Sequence, residues 1–190
     1  MNLVKDTLPQ DVNLEDVDIW FQDETRVGQQ GSITRVWALT GTRPFAIRQQ
    51  QFNYGYIFGA VCPAQNSAVG LVFPYVNKDA MKLHLEAISS QVPEGRHAFV
   101  VVDGASWHQE DLNLSNVTLI KLPPYSPQLN PVERIWEWLK QKWLSNRSYK
   151  NYKEIVDACC EAWNKFLTEP SIIPKMCSRQ WASIEKLKTK

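Results

Sequence analysis

The chain has 190 residues, a hydrophobic fraction of 44%, an aromatic fraction of 11% and a formal net charge of +1. That length suits one domain with its own core, and the composition excludes a disordered chain. The near-neutral balance argues against a protein that simply coats nucleic acid, and the lack of an apolar run near about 18 residues argues against a membrane span.

The N-terminus, MNLVKDTLPQDVNLED, has no basic start followed by an apolar block, so no secretory signal is expected and a cytoplasmic protein is the default. Residues 1–24 carry the acids Asp6, Asp11, Glu15, Asp16, Asp18, Asp23 and Glu24 against a single base, Lys5. DIWFQDET (18–25) then alternates as a strand: Ile19, Phe21 and Asp23 share one face, Trp20, Gln22 and Glu24 the other. RVWALTG (35–41) and PFAIRQQQF (44–52) read either as short strands or as an irregular excursion. YGYIFGAVCP (54–63) and SAVGLVFPYV (67–76) form a predicted hairpin turning at Ala64 to Asn66. NKDAMKLHLEAISSQ (77–91) has helical apolar spacing behind a capping Asn77.

RHAFVVVDG (96–104) is a continuous apolar run, the sign of a strand buried on both faces, and Asp103 stands at its C-terminal end. VTLIKLPP (117–124) reads as another buried strand. A helix is expected from about Pro131 to Leu144, and a further one over NYKEIVDACCEAWNKFL (151–167). RQWASIEKLKTK reads as a short basic terminal helix. The order predicts an α/β fold with three antiparallel strands followed by two parallel ones, flanked by helices. Cys62, Cys159, Cys160 and Cys177 have no disulfide or zinc spacing and read as free thiols. His84 and His97 read as structural.

Three acids stand out by position. Asp23 lies on the first strand, Asp103 ends the buried one, and Glu133 opens the helix after LPPYSPQLNP. A carboxylate near a core is costly unless compensated, and neighbouring carboxylates repel until one takes up a proton. A divalent cation with oxygen ligands resolves that conflict. Each acid also has a plainer reading. Asp103 with Gly104 is a turn pair; Asp23 is one of several surface acids, with Glu24 a competitor on the opposite face. Glu133 fits the last position of a capping box over Asn130, Pro131, Val132 and Glu133. Similarly, Arg134, Lys140 and Lys142, in a stretch 134–153 with Glu137 as its sole acid, form either a phosphate-binding face or a solvated one.

In chain order, FQDE, VVDGASWH and LPPYSPQLNPVERIWEWLK resemble the three acidic motifs of DDE transposases, in the mariner-like superfamily and its bacterial insertion-sequence branch. The third motif is the most specific, and the resemblance spans roughly residues 18–145. It implies a ribonuclease H-like catalytic domain over 18–145, a lead-in over 1–17 and a helical extension over 146–190. It implies that Asp23, Asp103 and Glu133 bind Mg²⁺ or Mn²⁺, as two ions, for DNA cleavage and strand transfer at TA target sites by a homodimer. The proline-rich loop would then hold Glu133 at a fixed direction, because proline fixes φ and restricts its neighbour. His108, Glu24 and Asn130 are candidate supports for the ligands; Tyr125, Ser126, Arg134, Lys140 and Lys142 are candidate DNA contacts.

Two departures accompany the resemblance. Only 29 residues lie between Asp103 and Glu133, fewer than expected. Transposases of this kind also carry helix-turn-helix modules ahead of the catalytic domain, whereas here the first strand begins about 18 residues from Met1. The expectation is a catalytic domain alone (a second reading frame, a frameshifted copy or a truncation), with DNA-end recognition from a separate or lost module. The rival expectations are an inactive or domesticated remnant that binds DNA or protein, and another ribonuclease H-like nuclease.

Overall fold

The structure, a computed structural model, describes residues 9–10, 12–45, 47–104, 114–123 and 126–182. Its elements run β1 (Val17–Gly28), β2 (Tyr54–Cys62), β3 (Ser67–Phe73), α1 (Lys78–Gln91), β4 (His97–Val102), β5 (Val117–Lys121), α2 (Val132–Leu139), α3 (Tyr152–Thr168) and α4 (Ile172–Cys177). The sheet order is β3-β2-β1-β4-β5. β1, β2 and β3 pair antiparallel, and β4 and β5 join β1 in parallel, as expected. α1 starts where Asn77 accepts the Ala80 N–H at 2.8 Å, the predicted cap. Residues Lys140–Leu144 prolong α2 as a π-helix, in which the Ser145 N–H reaches back to the Lys140 carbonyl at 2.8 Å.

Both faces of the sheet are covered, which is why all of β4 is buried. On one face Ile19 and Phe21 of β1 pack with Val132, Ile135 and Leu139 of α2 and Phe166 of α3. On the other, Trp20, Phe58 and Val100 pack against Met81, Leu85 and Ile88 of α1. α3 and α4 belong to the same core as α2. His84 is buried against Phe58, and burial lowers its pKa to about 4, so it stays neutral. His97 bonds the Thr118 hydroxyl at 2.8 Å. Both are structural, as read from sequence. The cysteines are free, and only Cys160 is exposed.

Asp18, counted in the acidic run, is in fact buried. Arg96 grips both of its oxygens at 2.6 Å, and the Gln65 amide donates to it at 3.0 Å. This forked pair ties the start of β1 to the turn before β4 and to the hairpin turn. Near the start of β1 and five residues before Asp23, it is a fixture of the fold.

Residues 29–53, between β1 and β2, form no strand among the described residues. The excursion is nonetheless anchored at its root. The Asn146 N–H donates to the Ser32 carbonyl at 3.0 Å, and the Asn146 side chain exchanges bonds with both backbone groups of Thr34. Gln29 and Gln49 both donate to the Tyr149 carbonyl. Beyond that root the arm is bare: Trp37 is 103% exposed and Phe45 99%. Of the terminal stretch from Arg179, the described part holds only a single 3-10 turn, Gln180–Ala182. No described helix is long and apolar enough to cross a membrane.

Candidate active site

The parallel register of β1 and β4 sets the first two acids side by side. Phe21 pairs with Val101, and Asp23 and Asp103 each follow by two residues. Neighbouring strands are about 4.8 Å apart, so this register sets the two backbone positions side by side at the C-terminal end of β4. Asp103 is the first residue beyond β4 and is exposed.

The third acid is brought in by α2. Asn130 is buried; its amide donates to the Gln22 carbonyl at 2.7 Å and its oxygen accepts the Val132 N–H at 3.2 Å. One side chain thus fixes the start of the helix to β1, one residue before Asp23. Glu133 lies in the first turn and is exposed. It forms no reciprocal bond to the Asn130 N–H, so the capping-box alternative is not realised and the carboxylate stays available.

Asp23 responds to this crowding. Its pKa rises from 3.8 to about 7, first through burial, then through the charge of Glu133, with Glu24 adding a smaller push. The Trp136 indole N–H opposes the rise by donating to Asp23 Oδ2 at 2.8 Å. That contact depends on glycine at position 59, directly across from Asp23 on β2. A Cβ there would lie 2.5 Å from the Trp136 ring and 2.9 Å from Trp163. Gly70, beside Gly59 on β3, is likewise covered by the Trp163 indole. The two glycines form a slot that lets the tryptophans lie on the sheet and aim one N–H at the carboxylate.

Glu24 points to the opposite face, as alternation predicts, and receives the Gln22 amide at 3.5 Å. Lys142 sits over the Trp138 ring at 4.2 Å and pairs with Glu169 at 3.6 Å. Arg134 is exposed, Lys140 is half-buried, and Ser126 follows the proline segment just before a 3-10 turn. His108 and Tyr125 lie outside the described residues. Sequence reasoning placed Trp136 in the core but missed its bond to Asp23; it also missed the tie from Asn130 to Gln22.

Among the described residues no three His, Cys, Asp or Glu side chains approach closely enough to enclose a metal ion. Asp23 and Glu133 repel one another while both are charged. The donor set is still all-oxygen and anionic, the chemistry that Mg²⁺ and Mn²⁺ take.

A family model described as DDE superfamily endonuclease matches residues 18–156. An uncharacterized protein of Sinorhizobium fredii (strain NBRC 101917 / NGR234), y4pE/y4sA, is 47% identical over 131 residues, which are 68% of this chain and 97% of that protein. The chain resembles the Mos1 strand transfer complex with a TM-score of 0.60 at 14% identity, over 90% of this chain and 52% of that one. It resembles the Mos1 mariner paired end complex with Mn with a TM-score of 0.61 at 14% identity, over 93% of this chain and 54% of that one. A corresponding complex with Mg gives 0.58 at 16% identity, over 93% of this chain and 53% of that one. At these identities the likeness is one of fold, and it is that of ribonuclease H-like transposase domains. The chain spans about half the length of those Mos1 chains.

Proposed function

The chain belongs to the DDE superfamily endonucleases, and from that premise we propose that it is the catalytic domain of a cut-and-paste DNA transposase of the bacterial insertion-sequence branch. The observation that carries the reading is the convergence of Asp23 and Glu133, with Asp103 in register on the neighbouring strand. Residues 18–145 are the catalytic unit in this reading, and 146–190 extend it.

Asp23, Asp103 and Glu133 would hold Mg²⁺ or Mn²⁺, as two ions; when bound, such ions lower the pKa of an attacking water and stabilise the leaving oxygen. The chain's own residues do the positioning. Trp136 orients the Asp23 carboxylate, and Asn130 holds the helix that presents Glu133. Water first breaks a phosphodiester at the element end, freeing a 3′-OH and leaving a 5′-phosphate. That 3′-OH then attacks a target phosphodiester, forming one bond as the target's own 3′ oxygen leaves. The bare arm carrying Trp37 and Phe45 supports work as a homodimer, since a surface this apolar is stable in water only when covered. End recognition would come from a helix-turn-helix module, and the target would be a TA dinucleotide.

Incubating the protein with pre-cut element ends bearing a 3′-OH, Mn²⁺ and supercoiled plasmid should join the ends into the plasmid at TA sites; joining at random sequence would sink the TA assignment. A second reading, a DNA- or protein-binding remnant, draws on the spacing of the acids, no three of which are grouped closely enough to hold a metal ion among the described residues. It predicts no metal-dependent chemistry with any added module.

A pH prediction follows from Asp23. A metal ligand must be deprotonated, and Asp23 holds its proton up to about 7. Apparent Mg²⁺ affinity should therefore fall about tenfold per pH unit below 7 and level off above it. Calorimetric titration of Mg²⁺ from pH 5.5 to 8.5 checks this; an affinity flat across that range removes Asp23 from the ligand set.

A further inference from the structure

The two elements that deliver Asp23 and Glu133 also deliver cations. On β1, Arg26 follows Asp23 by three residues, about 10 Å along a strand. On the helix, Lys140 follows Glu133 by seven residues, again about 10 Å. The bonds from Asn130 to Gln22 and from Trp136 to Asp23 show that the two elements run the same way, so both cations lie beyond the acids in the same direction, with the Arg26 side chain starting from the face of β1 that carries Glu24. They meet in one cavity of about 260 Å³, whose walls include Gln30, Ser32 and Tyr54.

This cavity is shaped for an anion. The Arg26 guanidinium lies over the Tyr54 ring, 4.4 Å from its centroid, which braces its planar fork. The Tyr54 hydroxyl donates to Gln30 Oε1 at 2.9 Å, and the Gln30 amide donates to the Gln50 carbonyl at 3.4 Å, which holds this wall of the cavity to the root of the arm. Neither Arg26 nor Lys140 has a carboxylate partner among the described residues, whereas Lys142, Lys153 and Lys165 all do. Lys140 is also where the helix widens into its π-helical turn, a distortion frequent at functional sites. No acid occurs between Glu24 and Asp79, so nothing along that stretch cancels the positive charge.

We propose that the Arg26–Lys140 cavity is a phosphate subsite that grips one backbone phosphodiester of the DNA strand whose scissile phosphate lies at the acids. This rests on the transposase reading. About 10 Å is the span of a few phosphates along one strand. Arg26 supplies the forked donors that match two phosphate oxygens, and Lys140 supplies a point charge. The subsite sets which phosphate stands at the acids and carries no base information.

The test is DNA binding measured by fluorescence anisotropy, using a short labelled duplex without divalent cation over a series of salt concentrations. Four proteins are compared: wild type, the pair Arg26→Gln with Lys140→Gln, the single Arg26→Lys, and the pair Lys78→Gln with Lys82→Gln on α1, which makes the same change in net charge away from the cavity. Circular dichroism confirms that each is folded, and Arg26→Lys alone keeps the charge while losing the fork. The proposal expects the Arg26/Lys140 pair to weaken binding about tenfold or more and to lower the slope of log K against log salt by about one. The α1 pair should leave both near wild type, and Arg26→Lys should keep the slope while weakening binding. If the two pairs behave alike while wild type binds, the subsite is overturned and the transposase reading is untouched. If wild type fails to bind at low salt, both fall. Thermal shift with inorganic phosphate separates the remaining source: a shift that the Arg26/Lys140 pair abolishes, with DNA binding unchanged, makes the cavity a free-phosphate site and overturns the proposal.

Discussion

Replacing Trp136 with alanine should cost the fold about 3–5 kcal/mol, the range for emptying a large aromatic from a core. The side chain is 2% exposed and lies against Gly59 and Trp163, with its ring centroid 6.0 Å from that of Trp163. No neighbour can fill the space, because the sheet beneath it is glycine on both β2 and β3. Trp136→Phe separates the second role of the residue. It keeps most of the ring but removes the N–H that Asp23 accepts, so the Asp23 pKa should climb further above 7. Urea unfolding of both variants tests the packing claim; a loss below about 1 kcal/mol for Trp136→Ala would mean that the slot collapses and that the ring is dispensable.

Asp23→Asn should move stability and chemistry in opposite directions. Without metal, the Asp23 charge is a burden, since burial and Glu133 both oppose it. Its folded pKa of about 7 stands above the carboxyl's ordinary value of 3.8. The protonated side chain therefore favours the fold below about pH 4, and that advantage drains away as pH rises through 7. The substitution removes this dependence: at pH 8 the variant should melt higher than wild type, and near pH 4 the two should converge. Its cleavage rate should fall at least about a thousandfold, because a lost ligand forfeits several kcal/mol of charge stabilisation. Added Mg²⁺ should reverse the order of melting temperatures by stabilising wild type alone. A variant that melts lower at pH 8 without metal would show that Asp23 is not crowded as described.

Much of this was legible in the chain. Alternation placed Asp23 and Glu24 on opposite faces of β1, and the unbroken apolar run ending at Asp103 marked a strand covered on both sides. The segment from Leu122 to Lys140 marked a stiff approach to a helix carrying Glu133. What escaped were contacts between residues distant in sequence. A tryptophan on an apolar helix face reads as core, and nothing local says that Trp136 also donates to an acid 113 residues away. Gly59 and Gly70 are unremarkable until the register sets them side by side under two indoles. Asp18 looked like one of a run of surface acids because its partner Arg96 lies 78 residues on. RVWALTG and PFAIRQQQF have the composition of strands, but both edges of β1 are taken by β2 and β4, so this segment leaves the sheet. The π-helical turn at Lys140 has no signature in composition.

The most direct test of the central claim is cleavage of a labelled duplex by wild type beside Glu133→Gln, with Mg²⁺ or Mn²⁺ and with the metal chelated. Glu133 is exposed and makes no capping bond, so glutamine should fold normally while losing the charge that holds metal. The account predicts that wild type cuts only with metal and that the folded variant cuts at least about a thousandfold more slowly. Equal cutting by the two proteins would contradict it, and would leave Glu133 as a surface residue at the start of a helix.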